Sequence, residues 1–205
     1  MGRFGEALAA LPEAVLEPAA LEIQARCLWL RGEDDGARDR LGRIAYPDPL
    51  DTLRARAEFA QLEGDPAQAA APIRAYDAAA GRADEHAAWA ALLAYWLDSG
   101  GAPARPHRAL AWLSAHRPAR AAEGAALFAE AHLGPAPAAA LVWLDQALDQ
   151  VARFGQHHLQ ARLLHAKAQA LDAAGDLAVA SKFQTLARET AQRQEAWRYL
   201  TPVAL

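Results

Sequence analysis

The residues with the most chemical potential are a group of histidines near the C-terminus. His158, Arg162 and His165 stand at spacings of four, three and seven, with His157 adjacent. On a helix these positions share one face. Two imidazoles seven residues apart could hold a metal only if a second helix supplied carboxylates, because a protein zinc site needs three or four donors. There is no HExxH pair. The expectation is a polar stripe with no metal. Asp145, Asp149 and Arg153 likewise run at i, i+4 and i+8, the pattern of an ion-paired helix face. Glu33, Asp34 and Asp35 open a helix, where they complement its dipole.

Other chemistries find little support. Ser99, Ser114 and Ser181 are the only serines, and none lies in a GxSxG elbow. Cys27, the single cysteine, sits in the apolar run Ala25-Arg26-Cys27-Leu28-Trp29 and reads as a buried structural thiol. No GxxxxGK[ST] phosphate loop and no GxGxxG after a strand is present. Arg188, Arg193 and Arg198 are interrupted by Glu189 and Glu195, a weak footprint for nucleic acid. The expectation is a protein that is not an enzyme, with no catalytic residues, no cofactor and no nucleic-acid partner.

The chain has 205 residues, only two lysines (Lys167 and Lys182), and no asparagine. Alanine, leucine and arginine dominate, all strong helix formers, and β-branched residues are scarce. A lone cysteine excludes an intramolecular disulfide. No segment has the length of a membrane span or the flanks of a signal peptide, so a cytoplasmic location is expected. Residues 1–100 carry 17 acids against 10 bases, and residues 101–205 carry 8 against 11. The halves therefore differ in electrostatic sign.

The elements that must position these residues are punctuated by glycine. Turn signals fall at Gly2-Arg3, Gly32-Glu33, Gly64-Asp65, Gly100-Gly101, Gly134-Pro135 and Gly175-Asp176, with spacings of 30, 32, 37, 33 and 41 residues. That period suits repeats of paired helices. Alanine follows five residues later at Ala7, Ala37, Ala69, Ala139 and Ala180, and precedes by seven at Ala25, Ala57, Ala94 and Ala168. Small residues belong where two antiparallel helices approach most closely. Glycine ends the first helix and an acid or proline starts the second. The map is a lone helix at 3–11, then pairs at 18–31 with 33–45, 50–63 with 65–79, 83–98 with 103–115, 118–132 with 136–154 and 157–174 with 176–199. Pro72 and Pro106 fall inside these helices and should kink or shorten them.

This pattern resembles the tetratricopeptide (TPR) family, most closely over Leu21, Ala25, Leu28, Gly32, Ala37, Leu41 and Pro49. The stretch from Ala161 to Leu200 is similar to the repeat arms of large bacterial signalling ATPases and transcriptional regulators. The resemblance implies an all-α, TPR-like right-handed superhelix, an α-solenoid of about five helix pairs plus an N-terminal half-pair, with residues 1–205 as one domain, whole or part of a longer protein. In such stacks the first helix of each pair lines a concave groove. The matching positions are Glu22, Arg26, Trp29, Arg54, Glu58, Tyr95, Phe128, Arg162, His165 and Gln169. Arginine and aromatic residues on such a wall suit a peptide or protein segment. The expected function is a non-catalytic interaction module or scaffold. The alternative is a ligand-sensing or regulatory arm of a transcriptional regulator or signalling ATPase. Arg153, Arg162, Lys167 and Arg188 surround the histidine stripe and point to an acidic peptide or an anionic ligand.

The ends carry their own expectations. Phe4, Leu8 and Leu11 form an apolar edge with nothing before it, a surface for a homodimer. The last helix turns Phe183, Leu186, Thr190, Trp197 and Leu200 toward its neighbour and caps the stack.

Overall fold

Most of the helices begin or end on a residue whose chemistry favours a boundary. Asp48, Asp65, Asp84 and Asp176 stand at N-caps, and each side chain accepts a hydrogen bond from a backbone N–H of the first turn. Pro18, Pro49, Pro66, Pro118 and Pro137 occupy the first turns of their helices, where no N–H is needed. Gly32, Gly64 and Gly175 take φ of 81°, 79° and 85° at the turns, conformations that a side chain would strain.

The computed structural model describes residues 4–11, 17–81, 84–98 and 104–200. Among them are eleven α-helices: α1 (Phe4–Ala10), α2 (Pro18–Leu30), α3 (Asp34–Gly42), α4 (Pro49–Glu63), α5 (Pro66–Ala79), α6 (Glu85–Leu97), α7 (Ala104–His116), α8 (Pro118–His132), α9 (Pro137–Phe154), α10 (Gln160–Ala173) and α11 (Leu177–Gln194). Two short 3-10 turns cover His157–Leu159 and Trp197–Leu200. The helices pack as sequential antiparallel pairs, α2 with α3 through α10 with α11, an arrangement consistent with a helical repeat. Neighbouring pairs join through α5 with α6, α7 with α8 and α9 with α10, and the first helices α4, α6 and α8 also touch one another. No helix among the described residues is long and apolar enough to cross a membrane.

The small-residue positions are where the pairs close. Ala37, Ala57 and Ala69 are completely buried, and Ala25, Ala168 and Ala180 nearly so. Ala7, Ala94 and Ala139 are only half-buried. The expected turns at Gly2 and Gly100-Gly101 lie outside the described residues. Pro106 falls in the first turn of α7, where its ring costs no hydrogen bond, and its side chain is buried. Pro72 sits in mid-helix, yet α5 runs on through it to Ala79.

The C-terminus departs from the expected single helix to residue 199. α11 stops at Gln194 because Glu195 adopts φ 59°, in the left-handed region that side chains disfavour. Its carboxylate accepts a hydrogen bond from the backbone N–H of Gly5 at 2.9 Å. A Cβ on Gly5 would lie 2.2 Å from that oxygen, so the contact is built around a glycine. The chain then turns back, and Trp197–Leu200 packs on α2 and α10. Thr190 is buried as expected, but Leu186 within α11 is exposed, and so is Trp197, which follows the reversal at Glu195.

This reversal covers the N-terminal edge. Phe4 is buried with Cys27, Ala161, Ala191 and Ala196, and Leu8 packs on the same cluster. Of the apolar edge expected to serve a homodimer, Phe4 and Leu8 are covered from within the chain, and Leu11 lies outside this cluster.

Candidate binding site in the interior

The helices α2, α4, α6, α8 and α10, with Arg117 at the exposed N-cap of α8, carry charges of opposite sign in register. Glu22 with Arg54, Arg26 with Glu58, Glu85 with Arg117 and Glu130 with Arg162 are each separated by 32 residues, one repeat. A helix and its equivalent in the next pair lie side by side, so a one-repeat separation brings them into contact.

Glu58 is the hub. Its carboxylate, 8% exposed, accepts hydrogen bonds from Arg26, from Arg54 at 3.0 Å and from Arg120 at 3.2 Å. Burial opposes its charge, but Arg26, Arg54 and Arg120 outweigh burial and hold the carboxyl at about 2. Glu22 accepts from Arg26 at 3.1 Å, from Arg54 at 3.3 Å and from the Tyr46 hydroxyl at 2.8 Å. Arg120 also donates to Glu85 at 2.8 Å and lies 4.4 Å above the Trp89 ring. On the other side, Arg162 grips Glu130 with two bonds of 2.7 Å and reaches Gln61 at 3.2 Å. Gln61 in turn donates to Glu130 at 3.0 Å, tying α4 to α8. Buried charges of this kind are costly unless paired, and here nearly all are paired.

A clasp joins the ends. Arg198 donates to the Trp29 carbonyl at 2.9 Å, pairs with Asp34, and stacks 4.4 Å above the Trp29 ring. Tyr199 meets the Trp29 ring edge-on at 6.4 Å and faces His165 at 5.7 Å. Burial raises the Tyr199 hydroxyl to about 12.

Two cavities flank this clasp. One, about 310 Å³, has mainly apolar walls from Phe4, Ala7, Ile23, Cys27, Leu30, Leu62 and Leu159, with a polar corner of Arg26, Glu123, His158 and Arg162. The other, about 440 Å³, includes Trp96, Glu130, His165, Gln169 and Arg198. Trp29, Leu62, Arg162 and Tyr199 border both and form the partition between them. Cys27 is buried in the first cavity's wall. Burial, partly opposed by Arg31 and Arg26, raises its thiol to about 11, which makes it a poor nucleophile.

The structure separates the expected groove residues into four groups. Arg26, Arg54, Glu58 and Arg162 converge in the ion-pair network, whereas Trp29 belongs to the clasp, and His165 and Gln169 line the second cavity. Tyr95 and Phe128 do not face a groove. They stack on each other at 5.2 Å, Tyr95 bonds His132 through its hydroxyl at 3.2 Å, and Phe128 is 1% exposed. The cause is the direct packing of α6 on α8, which buries the faces on which they sit. The histidine stripe is split, with His158 on the first cavity and His165 on the second. Among the described residues no three potential ligands gather for a metal. The bases expected to attract an anion are partly matched internally, Arg162 by Glu130 and Lys167 by Asp145 at 2.5 Å.

Phe4, Gln61, Arg120, Glu123, Glu130, His158, Arg198 and Tyr199 also shape the site, although turn-based register does not select them as groove residues. Glu130 was accessible through its one-repeat spacing from Arg162, whereas Arg198 and Tyr199 depend on a chain reversal that carries no repeat signal. Comparison of the chain with protein-family models, curated proteins and solved structures returns no match.

Proposed function

We propose that the protein is a non-catalytic, TPR-like α-solenoid module that takes a small ligand between its two ends, in the manner of a ligand-sensing regulatory arm. The observation that carries this reading is the cavity of about 310 Å³ whose walls come from both the first and the last elements of the chain. A ligand there touches Phe4 and Ala7 of α1 and Tyr199 of the C-terminal turn together, so binding is coupled to closure of the clasp. The inner arginines spend most of their donors on the inner glutamates, which favours a small ligand over an extended acidic peptide laid along the same face. A peptide crossing the interior would have to displace the Trp29–Arg162–Tyr199 partition.

The test is a thermal-shift and ligand-observed NMR screen of small amphipathic molecules against the full chain and Ala7→Phe. Ala7 is half-buried on the cavity wall, so a phenyl ring there fills space while α1 stays intact. Hits that stabilise the wild type and not the variant support the reading. Hits that ignore the substitution refute it.

A further inference from the structure

We infer that the cavity between the two ends binds a zwitterionic α-amino acid with a branched or aromatic apolar side chain. This deepens the small-ligand reading and rests on it. The polar corner has unused hydrogen-bonding capacity of both kinds. Arg162 spends Nε and Nη2 on Glu130 and Gln61, and among the described residues its Nη1 has no hydrogen-bond partner. Arg26 spends Nη2 on Glu22 and Glu58, while its Nη1 stands 3.7 Å from Glu123, beyond hydrogen-bond distance. Glu123 accepts two long bonds of 3.4 Å from Arg120 on its Oε2, and its Oε1 makes no hydrogen bond among the described residues. His158 makes no hydrogen bond among the described residues, and burial beside Arg26 favours its neutral form against the pull of Glu123. The corner thus offers guanidinium donors to a carboxylate and the Oε1 of Glu123 to an ammonium.

Charge balance selects between ligand classes. Each charged side chain on the cavity wall already has a partner of opposite sign, Arg26 in Glu22 and Glu58, Arg162 in Glu130, and Glu123 in Arg120. A ligand with net charge would leave that charge uncompensated beside apolar walls, and a purely apolar ligand would cover the free donors without pairing them. A zwitterion avoids both costs. Its side chain would lie against Phe4, Ile23, Leu30 and Leu159, in a volume at the small end of ligand pockets.

The test is isothermal titration of the full chain with L-leucine and L-phenylalanine, compared with 4-methylpentanoate, which lacks the amine, 3-methylbutylamine, which lacks the carboxylate, and glycine, which lacks the side chain. L-Leucine or L-phenylalanine should bind at least about tenfold more tightly than either half-molecule, the value of one charged hydrogen bond. Glu123→Gln, checked for folding by circular dichroism, should erase the preference over 4-methylpentanoate, and Ala7→Phe should abolish binding. If either half-molecule binds as tightly as L-leucine, the zwitterion inference falls while the small-ligand reading stands. If none of these binds and 1-anilinonaphthalene-8-sulfonate shows no wild-type signal that Ala7→Phe removes, the small-ligand reading falls as well.

Discussion

Replacing Glu58 with Gln should cost about 3 kcal/mol of stability at neutral pH. The substitution keeps the shape and removes the charge shared by Arg26, Arg54 and Arg120. Breaking a buried ion pair by removing one partner costs about 3–5 kcal/mol. The lower figure applies because Arg26 and Arg54 keep Glu22, and Arg120 keeps Glu85. A second route gives the same size, since holding the carboxyl at about 2 rather than 4.5 is worth about 3 kcal/mol. For a chain of this length the melting temperature should fall by about 6–12 °C. The sign with pH is fixed. A lowered folded value contributes its full stability above 4.5 and loses it as pH falls through about 2. The gap between wild type and variant should therefore be widest at pH 7 and narrow steadily from pH 5 to pH 3. Melts followed by circular dichroism across that range are the assay. A neutral-pH difference under about 2 °C, or a deficit unchanged at pH 3, would refute the assignment of Glu58 as the hub.

Ala37→Leu and Ala69→Leu should each cost about 1–3 kcal/mol in urea unfolding, because both side chains are fully buried between paired helices, while Ala139→Leu at a half-buried site should be nearly neutral. His158 and His165 are both held below 6.5 by burial, so stability should be complete above that value and decline as pH falls through it; the double Gln variant should flatten the decline between pH 7 and pH 5. Arg198→Ala removes the stack on Trp29 and two hydrogen bonds, and should speed amide exchange in α1 and α2 while leaving α8 and α9 unchanged.

Much of the helix layout was legible because its signals are local. Asp65-Pro66 after Gly64 specifies a turn through three adjacent residues, and the helices begin and end there. The alanines at Ala37, Ala69 and Ala180 mark close approach for the same reason. The interior was legible only in part. Turn offsets identify positions equivalent from pair to pair, and so find Arg26, Arg54 and Glu58, but they cannot tell an open face from one covered by the next first helix. Tyr95 and Phe128 fall on the covered kind. Opposite charges one repeat apart were a readable clue to contact. The left-handed Glu195 was not, since its strain is offset by Gly5, 190 residues away.

That distance also bears on kinetics. Most helix contacts in this protein join neighbours along the chain, and such contacts form early because their loops are short. Gly5 with Glu195 and Trp29 with Arg198 close loops of 190 and 169 residues, so they come last. Interactions absent from the transition state leave the folding rate alone and slow unfolding. In an open-ended array the terminal pairs fray first. Here each terminal pair is held by the other, and the clasp acts as a brake on opening that adds lifetime to the native state without adding time to its formation.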